Sequence, residues 1–344
     1  MGLYDPESPI RIKMLYSEGG ISIDEAFFKE RINRAYAIRI PLLETNTNSY
    51  RLLFGENDGF PSFIADVYNK VLVVKLYAAI WYPYLEPILK YLLEVSSCET
   101  IVLRLSRNLQ QQKDSYGLYE GQVLYGELKD EVVYFVEHGV QFSANVIKGH
   151  KTGYFLDHRE NRKRVGELSK GKTVLDVFSY AGGFSVHALA NGAKEVTSVD
   201  ISKQALEIAV TNGKLNTFKG KHLTLAGDAF LLLQQLISNK KTFDVVVIDP
   251  PSFAKSKKEI EKAEKKYQQL AQLGEQLTAK GGMLVLASCS SRISSETFFE
   301  INKRVLKKQS RAFGVLKTTQ HDIDHPISFP EGAYLKTGYY RFTK

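Results

Sequence analysis

Five apolar runs in the second half of the chain are each followed at once by residues able to do chemistry. Leu175-Asp176-Val177 leads into Phe178-Ser179-Tyr180-Ala181-Gly182-Gly183. Paired glycines let a backbone turn tightly and come close to a ligand. The spacing is not G-x-G-x-x-G, which disfavours a pyrophosphate-bearing dinucleotide. The second run ends at Asp200, where a carboxylate can accept both hydroxyls of a ribose. The third ends Gly227-Asp228-Ala229, where an acid can take an adenine amino group. One Asp at such a place is an ordinary helix cap. Three in order on successive runs describe a nucleoside site. A ligand with a ribose and an adenine but no phosphate suits it, and S-adenosylmethionine is such a ligand.

The fourth run ends Asp249-Pro250-Pro251-Ser252-Phe253. Two prolines freeze the backbone and hold the Asp and the Phe in set directions. A rigid carboxylate beside an aromatic ring suits a planar base, bonded at its edge and stacked on its face. The plainer reading is a stiff loop with a capping Asp. The fifth run ends Ala287-Ser288-Cys289-Ser290-Ser291. A lone Cys after an apolar strand is usually a small core residue. Flanking serines say instead that the chain has left the core, and a thiolate there is a candidate nucleophile. Arg292 is near enough in sequence to help lower its pKa. Spacing alone leaves nucleophile and core residue evenly matched.

The elements that must hold these ends are regular strand–helix alternations from Lys170 onward. Strands are expected at 173–177, 195–199, 223–225, 243–248 and 283–287. Helices are expected at 184–190, 203–214, 229–237, 257–277 and 294–307. Two more strands close the chain near 313–318 and 338–342. Apolar strands alternating with helices imply a parallel, doubly wound sheet, whose ligands sit beyond the carboxyl ends of the strands. The earlier part is less regular. Residues 2–16 read as one strand, with Ile10, Ile12 and Met14 alternating. Ser22-Ile23-Asp24-Glu25 reads as a capping box opening a helix with Phe28, Ile32, Ala35 and Tyr36 inward. Two strands turning at Asn69-Lys70, a helix over 84–95 and strands at 100–105, 131–136 and 140–146 make an α+β module without a catalytic constellation.

The chain has 344 residues, of which 44% are hydrophobic and 24% charged, the profile of an ordinary globular protein of two or three domains. That profile excludes a disordered chain, a collagen and a coiled-coil rod. No run approaches a membrane helix, and the start lacks the build of a signal peptide. Two cysteines, Cys98 and Cys289, cannot form a disulfide framework or a four-ligand zinc site. A cytoplasmic home and no metal are the expectations. Residues 1–150 carry a net charge of −4 and the rest +12. A basic half favours a polyanion such as nucleic acid, although solubility alone would also account for it. Six lysines from Lys255 to Lys266 read as a solvated helix face, or as a phosphate contact. His321, Asp322, Asp324 and His325 look like metal ligands on paper, but a capping turn explains them better. Cys98 reads as inert.

Taken together these residues resemble the class I S-adenosylmethionine-dependent RNA methyltransferases. They are most similar there to the bacterial 23S ribosomal RNA cytosine-5 methyltransferase family, which carries an N-terminal PUA domain. The most specific piece is Thr152-Gly153-Tyr154-Phe155-Leu156-Asp157-His158-Arg159-Glu160-Asn161-Arg162, which matches a G-[FY]-[FY]-L-D-x-R-x-N-R run of that family. The Asp249–Phe253 and Ser288–Ser290 strand ends match too, as do Asp324-His325-Pro326 and Phe329-Pro330-Glu331. The resemblance implies an α/β fold, a Rossmann-like seven-stranded methyltransferase sheet preceded by a smaller α+β domain. At most a remnant of the PUA domain is expected at 1–18. A central α+β domain with a possible RNA-binding role would occupy 19–147, and the catalytic domain 148–344.

By the same resemblance Cys289 is the nucleophile, and Asp249 bonds the cytosine edge. Pro250, Pro251 and Phe253 line the base pocket. Phe155, Asp157 and Arg159 lie near the methionine end of the cofactor. Phe178, Ser179, Tyr180 and Gly182 wrap it, Asp200 takes the ribose, and Asp228 with Ala229 the adenine. Ribosomal RNA is the implied partner, and a homodimer is possible. Arg162, Lys163 and Arg164 fit an exposed basic helix face or a phosphate contact. The rival activity is methylation of a base nitrogen, such as one of guanine, through the Asp-Pro-Pro loop, which needs no cysteine. A rival of another class is a non-catalytic RNA-binding assembly factor, which would need a broken cofactor site.

Overall fold

The computed structural model describes every residue except 18, 19, 21, 112–115, 255 and 344. The chain divides into two compact units. One is Met1–Asp157 with Asp322–Phe329; the other is His158–His321 with Pro330–Lys344.

The first unit opens with β1 (Gly2–Tyr4) and β2 (Ile12–Met14), then α1 (Glu25–Leu43). It continues with β3 (Ser49–Phe54), β4 (Phe63–Tyr68), β5 (Val71–Leu76), α2 (Leu85–Ser96), β6 (Thr100–Leu105), α3 (Arg107–Gln110) and β7 (Val123–Tyr125). The hairpin β8 (Val132–Glu137) and β9 (Val140–Asn145) follows. Strands β3 to β7 form one sheet in that order. Phe28, Phe60, Phe63 and Trp81 fill its core with edge-on and tilted ring contacts. Two buried arginines are matched by carboxylates, Arg39 forked on Asp58 and Arg51 forked on Asp66. Asp324 accepts from the Arg51 amide, and its own carbonyl takes a bond from Arg39.

The second unit contains α4 (Arg159–Leu168), β10 (Thr173–Val177), α5 (Gly183–Ala190), β11 (Glu195–Asp200), α6 (Lys203–Lys214) and β12 (Lys221–Ala226). Then come α7 (Ala229–Ser238), β13 (Phe243–Ile248), α8 (Ile260–Leu277), β14 (Thr278–Ser288), α9 (Ser295–Lys308), β15 (Phe313–Thr319) and β16 (Lys336–Phe342). The sheet order is β12-β11-β10-β13-β14-β16-β15. Side chains alternate across a strand, so each strand supplies both faces. Val174, Val245, Val247, Met283 and Val285 pack with Val165, Phe184 and Leu189 on one side. Leu175, Val177, Val246, Ile248, Leu284 and Leu286 pack with Leu233, Tyr267 and Phe298 on the other. Each such side chain contributes about 1.5–3 kcal/mol by burial. Chain order reverses between β10 and β13, which opens the crevice at their carboxyl ends.

Three sequence expectations are corrected. Residues 2–16 are not one strand but two three-residue strands paired antiparallel, Gly2 opposite Met14, with Ile10, Ile12 and Met14 exposed. Pro6 and Pro9 interrupt the run by removing backbone donors. The sheet is mixed rather than parallel, because β16 runs antiparallel to both β14 and β15. Helix α1 is capped by Asp24, whose carboxylate accepts from the Phe27 amide, so the cap falls two residues after Ser22. Two strands, β3 and β7, and the helix α3 went unread: β3 is buried at nearly every position and so shows no alternation, while β7 and α3 span only three and four residues.

Candidate active site

The turn after β10 is bent by backbone conformation rather than by glycine alone. Phe178, Tyr180 and Gly182 all have positive φ, at 65°, 47° and 79°. Non-glycine residues pay for that region in strain, which the surrounding structure must hold in place. Here β11 does so. The amides of Phe178 and Ser179 donate to the Val199 carbonyl, and the Tyr180 amide donates to Asp200 Oδ2 at 2.9 Å. Asp200 Oδ1 meanwhile accepts from Ser202 at 2.9 Å. A carboxylate has lone pairs beyond these two bonds, and Asp200 is only half-buried, so its outward side can accept a ribose. Gly182 starts α5 against α6: a Cβ there would sit 2.7 Å from Ala209 Cβ.

Asp228 caps α7 through the Leu231 amide, as the plainer reading of such an Asp requires, yet it is exposed at the same sheet edge. Ala229 is buried behind it. Within the β10 end, Asp176 Oδ2 accepts from the amide and hydroxyl of Ser185. Its other oxygen, Oδ1, and the Ser179 hydroxyl are buried with no hydrogen-bond partner among the described residues. Burial pushes the Asp176 carboxyl up to about 7, with Ser185 pulling it back and Asp249 and Asp200 adding repulsion. Two orphaned polar atoms beside a strained turn fit a ligand with several donors. S-adenosylmethionine, with an ammonium and ribose hydroxyls, meets that requirement.

Asp249 follows β13 and is partly exposed. His158 Nε2 lies 3.3 Å from its Oδ1, and the buried His158 ring is also held at Nδ1 by Asn161 and edge-on by Phe184. Pro250 is buried and Pro251 exposed. The Phe253 ring is gripped edge-on by Tyr267 at 5.3 Å, and Lys266 lies over it at 4.6 Å. On the neighbouring strand end the Cys289 thiol donates to the Pro250 carbonyl at 3.8 Å. The hydroxyl of Ser288, just before it, meets that of Tyr267 at 2.9 Å. The crevice therefore brings together Cys289, Asp249, Pro250 and Phe253 on one side. The Phe178–Gly182 turn and Asp200 belong to the β10 and β11 ends.

Phe155 and Asp157 belong to the first unit, where Lys151 lies 4.6 Å over the Phe155 ring and Asp157 is buried in a short turn. Arg159 begins α4 in the second unit and is fully buried. Arg162 is buried as well, which removes it from the expected exposed basic face, while Arg164 lies 5.9 Å over Tyr339. Of the lysine run, Lys255 lies outside the described residues. Lys265 pairs with Glu261 on an open helix face. His321 accepts from the Tyr334 and Leu335 amides, the turn-holding role expected. Among the described residues no group of three or more His, Cys, Asp or Glu is placed to hold a metal ion. Cys98 is buried, its thiol pushed up to about 11 by burial. Sequence reasoning gave no role to His158, although it stands in the quoted run, nor to Asp176, Tyr267 or Lys336. For the last two nothing local marks them.

Comparison with known proteins agrees with this geometry. Residues 51–335 match the model of an S-adenosylmethionine-dependent methyltransferase family. A protein of Deinococcus radiodurans named "Ribosomal RNA large subunit methyltransferase" is 42% identical over 342 residues, 98% of this chain and 84% of that one. The "Ribosomal RNA large subunit methyltransferase I" of Aliivibrio fischeri is 35% identical, over 97% of this chain and 85% of its own. A Streptococcus mutans structure described as a SAM-dependent methyltransferase shares the fold with TM-score 0.82 at 22% identity, covering 98% of this chain and 86% of that one. With a seven-stranded mixed sheet, a cofactor cradle at its switch point and these likenesses, the chain belongs to the S-adenosylmethionine-dependent methyltransferase family.

Proposed function

We propose that the protein methylates carbon 5 of a cytosine in large-subunit ribosomal RNA, through a covalent bond from Cys289 to carbon 6. The observation that supports this reading is the 3.8 Å approach of the Cys289 thiol to the Pro250 carbonyl, which puts a nucleophile beside the Asp249-Pro250-Pro251 loop. A nitrogen methyltransferase has no use for that thiol. Bound in the cradle, S-adenosylmethionine supplies an electrophilic sulfonium methyl. Carbon 5 of cytosine is too weak a nucleophile to take it unaided.

The Cys289 thiolate adds to carbon 6, and the electron pair moves onto the ring, making carbon 5 nucleophilic. Asp249 bonds the base edge and supports the protonated ring nitrogen, with His158 orienting the carboxylate. Carbon 5 takes the methyl, a base removes the carbon-5 proton, and the returning electron pair expels the thiolate. Phe253 and the two prolines wall the base pocket. Arg159 serves the methionine end of the cofactor, and Asp228 with Ala229 the adenine. Residues 19–147 are read as a domain that helps bind RNA, and 148–344 as the catalytic domain. Among the described residues no helix is long and apolar enough to cross a membrane.

The test is methyl transfer from labelled cofactor to ribosomal RNA of a strain lacking the protein, followed by nucleoside mass spectrometry. Label is expected in 5-methylcytidine, and Cys289→Ala should lower it by at least about 10³-fold. Label in a methylguanosine, kept in that variant, would overturn the reading.

A further inference from the structure

The loop that carries Cys289 is wrapped around a lysine from 47 residues later in the chain. Lys336 opens β16, and the antiparallel register sets it opposite Ser288, the residue before the cysteine. Its side chain is completely buried. The ammonium donates to the carbonyls of Ser290 and Ile293, which bracket the turn just after Cys289. A buried ammonium is costly unless hydrogen-bonded, and burial without a role in packing would be better served by an apolar residue. Here the charge is held by neutral carbonyls in the turn that follows Cys289.

We propose that Lys336 is a positioning residue for methyl transfer. It fixes the Cys289 loop through two carbonyls and keeps a positive charge beside Sγ that favours the thiolate. This rests on the reading of Cys289 as the nucleophile. On ionisation the thiol proton leaves to solvent and Lys336 keeps its own, so nothing is oxidised or reduced.

Among the described residues, Asp249, Glu296, Tyr267 and Arg292 cannot play that part. Asp249 at the end of β13 and Glu296 in the first turn of α9 are acidic and oppose a thiolate. Tyr267 of α8 is buried and neutral, its hydroxyl pushed up to about 12 by burial. Arg292, in the same loop, is exposed to solvent, where its charge is screened. The coupling also shows on the lysine. Burial lowers its pKa to about 8, and Cys289, followed by Glu296, acts in the opposite direction.

The experiment uses the full chain without RNA. Alkylation of Cys289 by iodoacetamide is followed against pH by mass spectrometry of its peptide, with the Cys98 peptide as internal control. Lys336→Gln keeps two N–H donors and removes the charge. In this variant the midpoint for Cys289 should rise by about one pH unit and alkylation at pH 7 should fall about tenfold, with cofactor binding unchanged in calorimetry. An unmoved midpoint with intact cofactor binding overturns the proposal. Should Lys336→Gln not fold, the reciprocal measurement decides. The ¹³Cε signal of Lys336 is titrated in wild type and in Cys289→Ser, where the lysine midpoint should fall. An unchanged midpoint overturns the proposal there too. The two readings fail separately: a moved thiol midpoint together with methyl transfer surviving in Cys289→Ala would sink the nucleophile but not the coupling.

Discussion

The site works by pairing residues whose demands conflict with their surroundings. Asp176 is the plainest case: a fully buried carboxyl with one oxygen on Ser185 and the other, among the described residues, without a hydrogen-bond partner. In the unfolded chain it ionises near the usual ~4, whereas the fold holds its proton up to about 7. Below both values neither state carries the charge and the site costs nothing. As pH rises from ~4 toward 7 the unfolded state loses its proton first, so stability declines through that window and levels off above it. Asp176→Asn should remove the decline. Thermal melts of the cofactor-free protein from pH 4.5 to 8 should show the variant gaining on wild type up to pH 7 and then running parallel. Parallel curves over the whole range would mean that Asp176 is ionised in the fold.

At the scale of elements, strand ends are held open by turns that only certain residues allow. Gly182 has a left-handed φ of 79°, and a Cβ there would press on Ala209 of α6 from 2.7 Å. Left-handed strain costs about 1–2 kcal/mol and overpacking about 1–3 more. Gly182→Ala should therefore lower Tm by roughly 5 °C or more. It should weaken cofactor binding in calorimetry, because α6 must retreat from the turn that Asp200 supports. A variant that melts and binds as wild type would show that the turn can relax without cost. The glycine turn and the two prolines were legible in the sequence, since both restrict φ through their own covalent structure. Strand β3 was not legible, because burial on both faces erases the alternation a reader looks for.

For the molecule as a whole, charge is the property that reaches furthest. The part beyond residue 150 carries a net +12 against −4 before it. Binding to RNA releases counterions, so the affinity for ribosomal RNA should fall at least about tenfold between 50 and 200 mM salt. Cofactor affinity should change by less than about twofold over the same range. Filter binding and calorimetry at matched salt check both. An RNA affinity indifferent to salt would assign the basic residues to solubility alone.

What the sequence determined by itself was local. Five strand ends announced their chemistry because each is a contiguous run of a few residues, with Gly, Pro, Asp or Cys placed by covalent constraint at the end of an apolar segment. Their order along the chain was enough to name the cofactor and the α/β fold class, though not the antiparallel strand of the sheet. The antiparallel β16, the burial of Arg162 and the meetings of His158 with Asp249 and of Lys336 with the Cys289 loop were decided only in three dimensions. Each depends on register between strands or helices far apart in the chain. A lysine in Tyr334-Leu335-Lys336-Thr337 looks like any surface residue until pairing with Ser288 carries it inside. Burial then sets that charge apart from a surface lysine, because only the folded chain excludes the water that would screen it.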